Sequence, residues 1–224
     1  MNSAIVMRLI LKDWYLQRWT VGAYFAAGVL SLLFLGTGGP GSFYAGMIVL
    51  VTAVVGFSIH LTIATVVGER TEHTLPFIMT LPVSSRDYTA AKVASNLTMF
   101  VLPWTALTVA VLSLLEIRSG DTRALIPWAT LLLVELLAAY CLLLFVALAT
   151  ESQAWTIGVM VAANLFFQAF LYFVSNTPSI AAGMKSHHVQ WSSAALGILL
   201  IEISVIVLLL ALSFVARARK RDLL

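Results

Sequence analysis

Cysteine is nearly absent from this chain: Cys141 stands alone inside an apolar stretch. Neither an intrachain disulfide nor a thiolate metal cluster can be built, and the redox compartment is not legible from cysteine usage. Charge is scarce as well. Asp, Glu, Lys and Arg make up 10% of the 224 residues and hydrophobic types 61%, with a mean hydropathy of +0.98, well outside the range of soluble domains. So little polar sequence leaves no room for a soluble catalytic domain. The expectation is one all-α transmembrane domain over residues 1–224, with any soluble chemistry supplied by a partner.

Other absences narrow the function. No Gly-x-x-x-x-Gly-Lys-Ser/Thr loop is present to cradle ATP, and no Gly-x-Gly-x-x-Gly follows a strand pattern. Gly36-Thr37-Gly38-Gly39-Pro40-Gly41 reads only as a tight turn. No aspartate falls inside an expected span, which removes a paired-aspartate intramembrane protease. His187-His188 lacks the carboxylate or thiolate company of a metal site. No catalytic, cofactor-binding or metal-ligating residue is expected on this chain.

What the chain does have is long apolar runs. A helix needs about 20 apolar residues to cross the hydrocarbon core, and that ruler gives six spans: Trp19–Leu35, Phe43–Val67, Val93–Leu115, Ala124–Ala149, Ala154–Val174 and Trp191–Val215. Only Thr150-Glu151-Ser152-Gln153 separates the fourth from the fifth, and the combined run is about twice a spanning helix, so a tight hairpin turn is expected there. Ahead of the first span, residues 1–18 mix Ile5, Leu9, Trp14 and Leu16 with Arg8, Lys12, Asp13 and Arg18. That mixture predicts a helix lying in the membrane interface, with Trp14, Tyr15 and Trp19 at headgroup depth; the alternative is the solvated start of a tilted first helix.

Basic residues set orientation, since Lys and Arg are retained on the cytoplasmic side of short loops. With the N-terminus inside, Arg8, Lys12, Arg18, Arg70, Arg86, Lys92, Arg217, Arg219, Lys220 and Arg221 are cytoplasmic, leaving Arg118, Arg123 and Lys185 outside. Both termini are therefore expected in the cytoplasm. The net charge of +3 reflects this topology and attraction to anionic lipid rather than nucleic-acid binding.

The segment from Gly68 to Lys92 is the one long polar interruption on the cytoplasmic side. Thr74 offers an N-cap, Pro76 is tolerated in a first turn, and Leu75, Ile78 and Met79 recur at helical spacing, with Phe77 and Leu81 widening the apolar face. After Pro82, Ser84-Ser85-Arg86-Asp87 resembles a capping box that starts a second helix running into the third span. A short amphipathic helix held between two spans can dock a partner or rest on lipid, and both readings stand on these residues alone.

Glu69-Arg70, Thr74-Leu75, Leu81-Pro82-Val83-Ser84, Arg86, Tyr88 and Lys92 resemble the cytoplasmic loop of bacterial ABC-transporter permeases of the second exporter type. The motif covers about a tenth of the chain, and the order and orientation of the spans extend the likeness over nearly all of it. The resemblance implies an amphipathic N-terminal helix, six spans, a dimer of permeases and two copies of a separate ATPase subunit that holds the ATP and Mg. It further implies export across the bacterial cytoplasmic (inner) membrane, with a coupling helix contacting the ATPase through Glu69, Arg70, Thr74, Leu75, Phe77, Ile78, Leu81 and Pro82. Pro76 departs from the family pattern, and residues 175–190 are similar in position to the family's outer re-entrant helices.

Within the spans, Glu135 and Glu202 each follow the start of a span by 11 positions, about 16 Å of helix, close to the midplane. Carboxylates there are costly and face protein or water. They line a translocation path or join helices, and the same two roles apply to Asn96, Asn164, Gln168 and His60. An amphipathic or hydrophobic cargo suits such a lining. The alternative class is a free-standing secondary transporter or channel that uses Glu135 and Glu202 as ion or proton carriers.

Overall fold

In lipid every backbone N–H and C=O must be satisfied within the chain, so long apolar runs become helices. A computed structural model describes residues 3–37, 39–68, 85–118, 121–150, 152–186 and 188–219, among which no strand occurs. The helices are α1 (Ser3–Gly36), α2 (Pro40–Thr62), α3 (Ser85–Ile117), α4 (Ile126–Thr150), α5 (Gln153–Asn176), the short α6 (Pro178–Met184) and α7 (Ser193–Arg219). A π-helical turn, Ile63–Val67, extends α2, and a 3₁₀ turn, Asp121–Leu125, precedes α4. Among the described residues six helices are long and apolar enough to cross a bilayer, the arrangement of a multi-pass membrane protein.

The first helix differs from expectation. α1 runs unbroken for 34 residues from Ser3, about 51 Å, so residues 3–18 and the first span form one continuous helix, in line with the alternative of a long first helix, and no separate interfacial helix is seen among the described residues. The helix passes through Asp13 without a break, within the stretch Val6–Gly36 that is long and apolar enough to cross a bilayer. The physical reason is that Asp13 is buried against α3, where Lys92 neutralises it, so its charge does not end the membrane helix. The expected turn between the fourth and fifth spans is present: α4 ends at Thr150, Ser152 is extended (φ −113°, ψ 126°), and α5 starts at Gln153.

Close approach of α1 and α2 depends on Gly46. A Cβ there would lie 2.9 Å from both the Ser31 carbonyl oxygen and the Leu35 amide nitrogen. Pro40 opens α2, where its missing N–H is harmless, and the Ser42 hydroxyl accepts from the Gly39 amide at 3.2 Å. α4 is the central helix: 67% of its most apolar window is buried in protein, against 11% for α5. One ring from each of the first four helices forms a ladder through the core. Tyr24 meets Phe57 at 5.5 Å, Phe57 meets Phe100 at 5.6 Å, and Phe100 stacks on Tyr140 at 3.8 Å between centroids. Trp104 donates its indole N–H to the Leu133 carbonyl at 3.0 Å and joins α3 to α4.

Candidate functional site

The bundle has two ends, a proximal one where α1 begins and a distal one where it ends. At the proximal end polar side chains from three helix termini meet in a buried cluster. Lys92 Nζ on α3 donates to Asp13 Oδ2 on α1 at 2.9 Å, and the Ser95 hydroxyl donates to the same oxygen at 2.9 Å. Lys12 Nζ lies 3.6 Å from Asp13 Oδ1. Burial of two charges is tolerable only when they are paired and further hydrogen-bonded, and this geometry meets that condition. One turn along α3, the Trp14 indole N–H donates to Thr98 Oγ1 at 3.1 Å. Trp14 is thus tied to protein, whereas Tyr15 and Trp19 are exposed with the Arg18 guanidinium 4.3 and 5.5 Å from their ring centroids.

The end of α2 joins this cluster through its π turn. Thr65 Oγ1 lies 2.7 Å from the Leu61 carbonyl and 2.8 Å from Asn96 Oδ1, and the Asn96 amide donates to the Lys92 carbonyl at 3.0 Å. Hydroxyls that bond back to carbonyls one turn earlier loosen a helical ladder; Ser58 and Thr62 do so here, and Thr65 shares its one hydroxyl proton between the Leu61 carbonyl and Asn96 Oδ1. Single π turns concentrate at functional sites. This one ends at Val67, directly before the segment that resembles a coupling loop. The expected contact residues Glu69, Arg70, Thr74, Leu75, Phe77, Ile78, Leu81 and Pro82 lie outside the described residues. What is described is the ground on which they stand: the end of α2 and the start of α3, both bonded within the proximal cluster.

The five path candidates do not converge. Asn96 is fully buried in the proximal cluster. Glu135 on α4 and Glu202 on α7 are brought within electrostatic reach of each other by the packing of those two helices. Both are buried, and neither Glu202 oxygen has a hydrogen-bond partner among the described residues. Asn164 and Gln168 lie on the exposed side of α5; the Asn164 amide donates to the Met160 carbonyl at 3.0 Å, and Gln168 lines a groove toward the distal end. His60 is exposed, its ring 6.0 Å from that of Tyr24. Among the described residues no three His, Cys, Asp or Glu side chains gather as a metal ion would need.

The distal end is built around Arg118, whose Nη1 donates to the Leu35 carbonyl at 2.6 Å and so caps the last turn of α1. Arg123 instead pairs with Glu116, Nη2 to Oε1 at 3.2 Å. The Trp128 indole N–H donates to Ser175 Oγ at 3.1 Å, linking the start of α4 to the end of α5. Asp13, Thr65, Ser95 and Arg118 are the residues that sequence reasoning did not single out as a site. The available signal was Asp13 itself, an acid within an otherwise apolar and basic helix. No protein-family model, curated protein or solved structure matches the chain.

Proposed function

We propose that this chain is the membrane subunit of an ATP-driven exporter of the ABC permease type, working as a homodimer with two copies of an ATPase subunit in the bacterial cytoplasmic membrane. On this reading it performs no bond chemistry, and its cargo is amphipathic or hydrophobic. The coupling-loop pattern between Glu69 and Lys92 supports the class. The observation that carries the mechanism is the buried proximal cluster: Asp13, Lys92, Ser95, Asn96 and Thr65 bond the starts of α1 and α3 to the end of α2. A thrust on residues 69–84, delivered as two ATPases close on ATP, meets two helix ends that cannot move apart without breaking buried hydrogen bonds. α1, α2 and α3 then tilt together, and the path alternates between the two leaflets.

Gentle extraction of the tagged chain is expected to bring down a stoichiometric ATP-hydrolysing subunit, and Leu75→Asp or Leu81→Asp to release it. Absence of such a subunit from wild-type extracts overturns the proposal. One observation favours a second reading, a free-standing secondary transporter: the buried Glu202 carboxyl, which has no hydrogen-bond partner among the described residues and lies within electrostatic reach of Glu135. Replacing both by Gln abolishes proton-coupled flux on that reading, and leaves ATP-driven export partly intact on the first.

A further inference from the structure

A groove of about 920 Å³ opens in the distal half of the protein between α2, α4, α5 and α6, a volume in the range of small-molecule sites. Along α2 it extends from Gly39 to Thr52, about 20 Å, or two thirds of the hydrocarbon core. Its walls are apolar, with Phe43, Val51, Trp128 and Phe167 among them, and among the described residues Arg118 is the one formally charged residue in the lining. An apolar groove open to the side of a membrane helix bundle holds water poorly and a hydrocarbon chain well.

Arg118 is what selects the occupant. Its bond to the Leu35 carbonyl uses one of five N–H donors and fixes the guanidinium at the distal mouth. The remaining fork suits a phosphate or carboxylate, which arginine binds in bidentate fashion with little loss of hydration. The neighbouring Arg123 is already engaged by Glu116, and no acidic side chain lines the groove among the described residues. Lys185, exposed beside the lining residue Met184, adds positive charge at the same end. We propose that the distal groove is a binding site for a membrane lipid with an anionic headgroup, one acyl chain lying along α2 and α5 and the headgroup phosphate on Arg118. The site depends on the chain spanning a bilayer and not on any ATPase partner.

Trp128 reports on the site, because its ring lines the groove and its N–H is held by Ser175. The full-length protein is reconstituted in vesicles containing either brominated phosphatidylglycerol or brominated phosphatidylcholine at equal mole fraction, and the quenching that disappears in Trp128→Phe is assigned to Trp128. Quenching of Trp128 is expected at a several-fold lower fraction of phosphatidylglycerol than of phosphatidylcholine. Arg118→Gln should bring the two lipids together, Arg118→Lys should retain part of the preference, and Val51→Phe should lower quenching by both. Equal quenching by the two lipids in the wild type, a preference that survives Arg118→Gln, or Val51→Phe without effect overturns the proposal. Absence of Trp128 quenching by either lipid, as a second copy of the chain seated in the groove would give, overturns it too.

Discussion

Lys92 and Asp13, 79 positions apart in sequence, form an ion pair of 2.9 Å with side chains only 4% and 5% exposed. Removing Lys92 leaves the buried Asp13 carboxylate with only the Ser95 hydroxyl and Lys12 at 3.6 Å to offset its charge, a loss of up to roughly 3–5 kcal/mol, whereas replacing both by apolar residues is often close to neutral. Lys92→Met should therefore lower the thermal midpoint in detergent sharply, and Asp13→Leu with Lys92→Met should recover most of it. A double variant no more stable than the single one would mean that the pair is not the unit that holds α1 on α3.

Gly46 allows α1 and α2 to touch backbone to backbone, so Gly46→Ala must push the helices apart, at about 1–3 kcal/mol for overpacking. Gly28 makes the contrast. The three atoms nearest a Cβ there all belong to the Leu107 side chain and none to backbone, and that side chain can turn aside. Thermal unfolding of the two alanine variants should show the larger loss at Gly46, and equal losses would count against backbone contact as the cause.

How much of this was legible in the sequence follows from the range of each interaction. Apolar length is a local property, so the spans and the turn at Thr150–Gln153 could be read directly. The separate interfacial helix expected over residues 1–18 rested on local charge, and the group that lets Asp13 sit within one continuous helix is supplied by Lys92 from another helix. The π turn at Ile63–Val67 changes hydrogen-bond register without changing composition, so periodicity does not register it. Glu135 and Glu202 were each visible as membrane acids, and their proximity follows from the packing of α4 on α7. The groove at Arg118 belongs to four helices at once and has no signature in any one of them.

Glu202 is buried at 4% exposure with neither oxygen hydrogen-bonded among the described residues, and a second carboxyl, Glu135, lies near it. An unsatisfied buried acceptor is destabilising, by about 1–3 kcal/mol, and an apolar side chain of similar shape removes that cost. Glu202→Met is accordingly expected to raise the thermal midpoint. A fall in stability on Glu202→Met would show that the carboxyl has a partner.

Thr65 and Asn96 tie the π turn to α3, and on the proposed mechanism this tie carries motion as well as stability. Asn96 is fully buried, with its amide on the Lys92 carbonyl and its carbonyl oxygen 2.8 Å from the Thr65 hydroxyl. Thr65→Val leaves the Asn96 oxygen an orphan acceptor, at about 1–3 kcal/mol, while Thr65→Val with Asn96→Leu removes both groups and should be less destabilising than the sum of the single changes. The double variant then separates holding from transmission. It should still retain the ATPase partner, since residues 69–84 are unchanged, yet export less cargo per ATP hydrolysed because α2 and α3 no longer answer the loop together. Partner retention measured with the ratio of export to hydrolysis checks this, and a double variant that exports at the wild-type ratio would show that the thrust travels by another route.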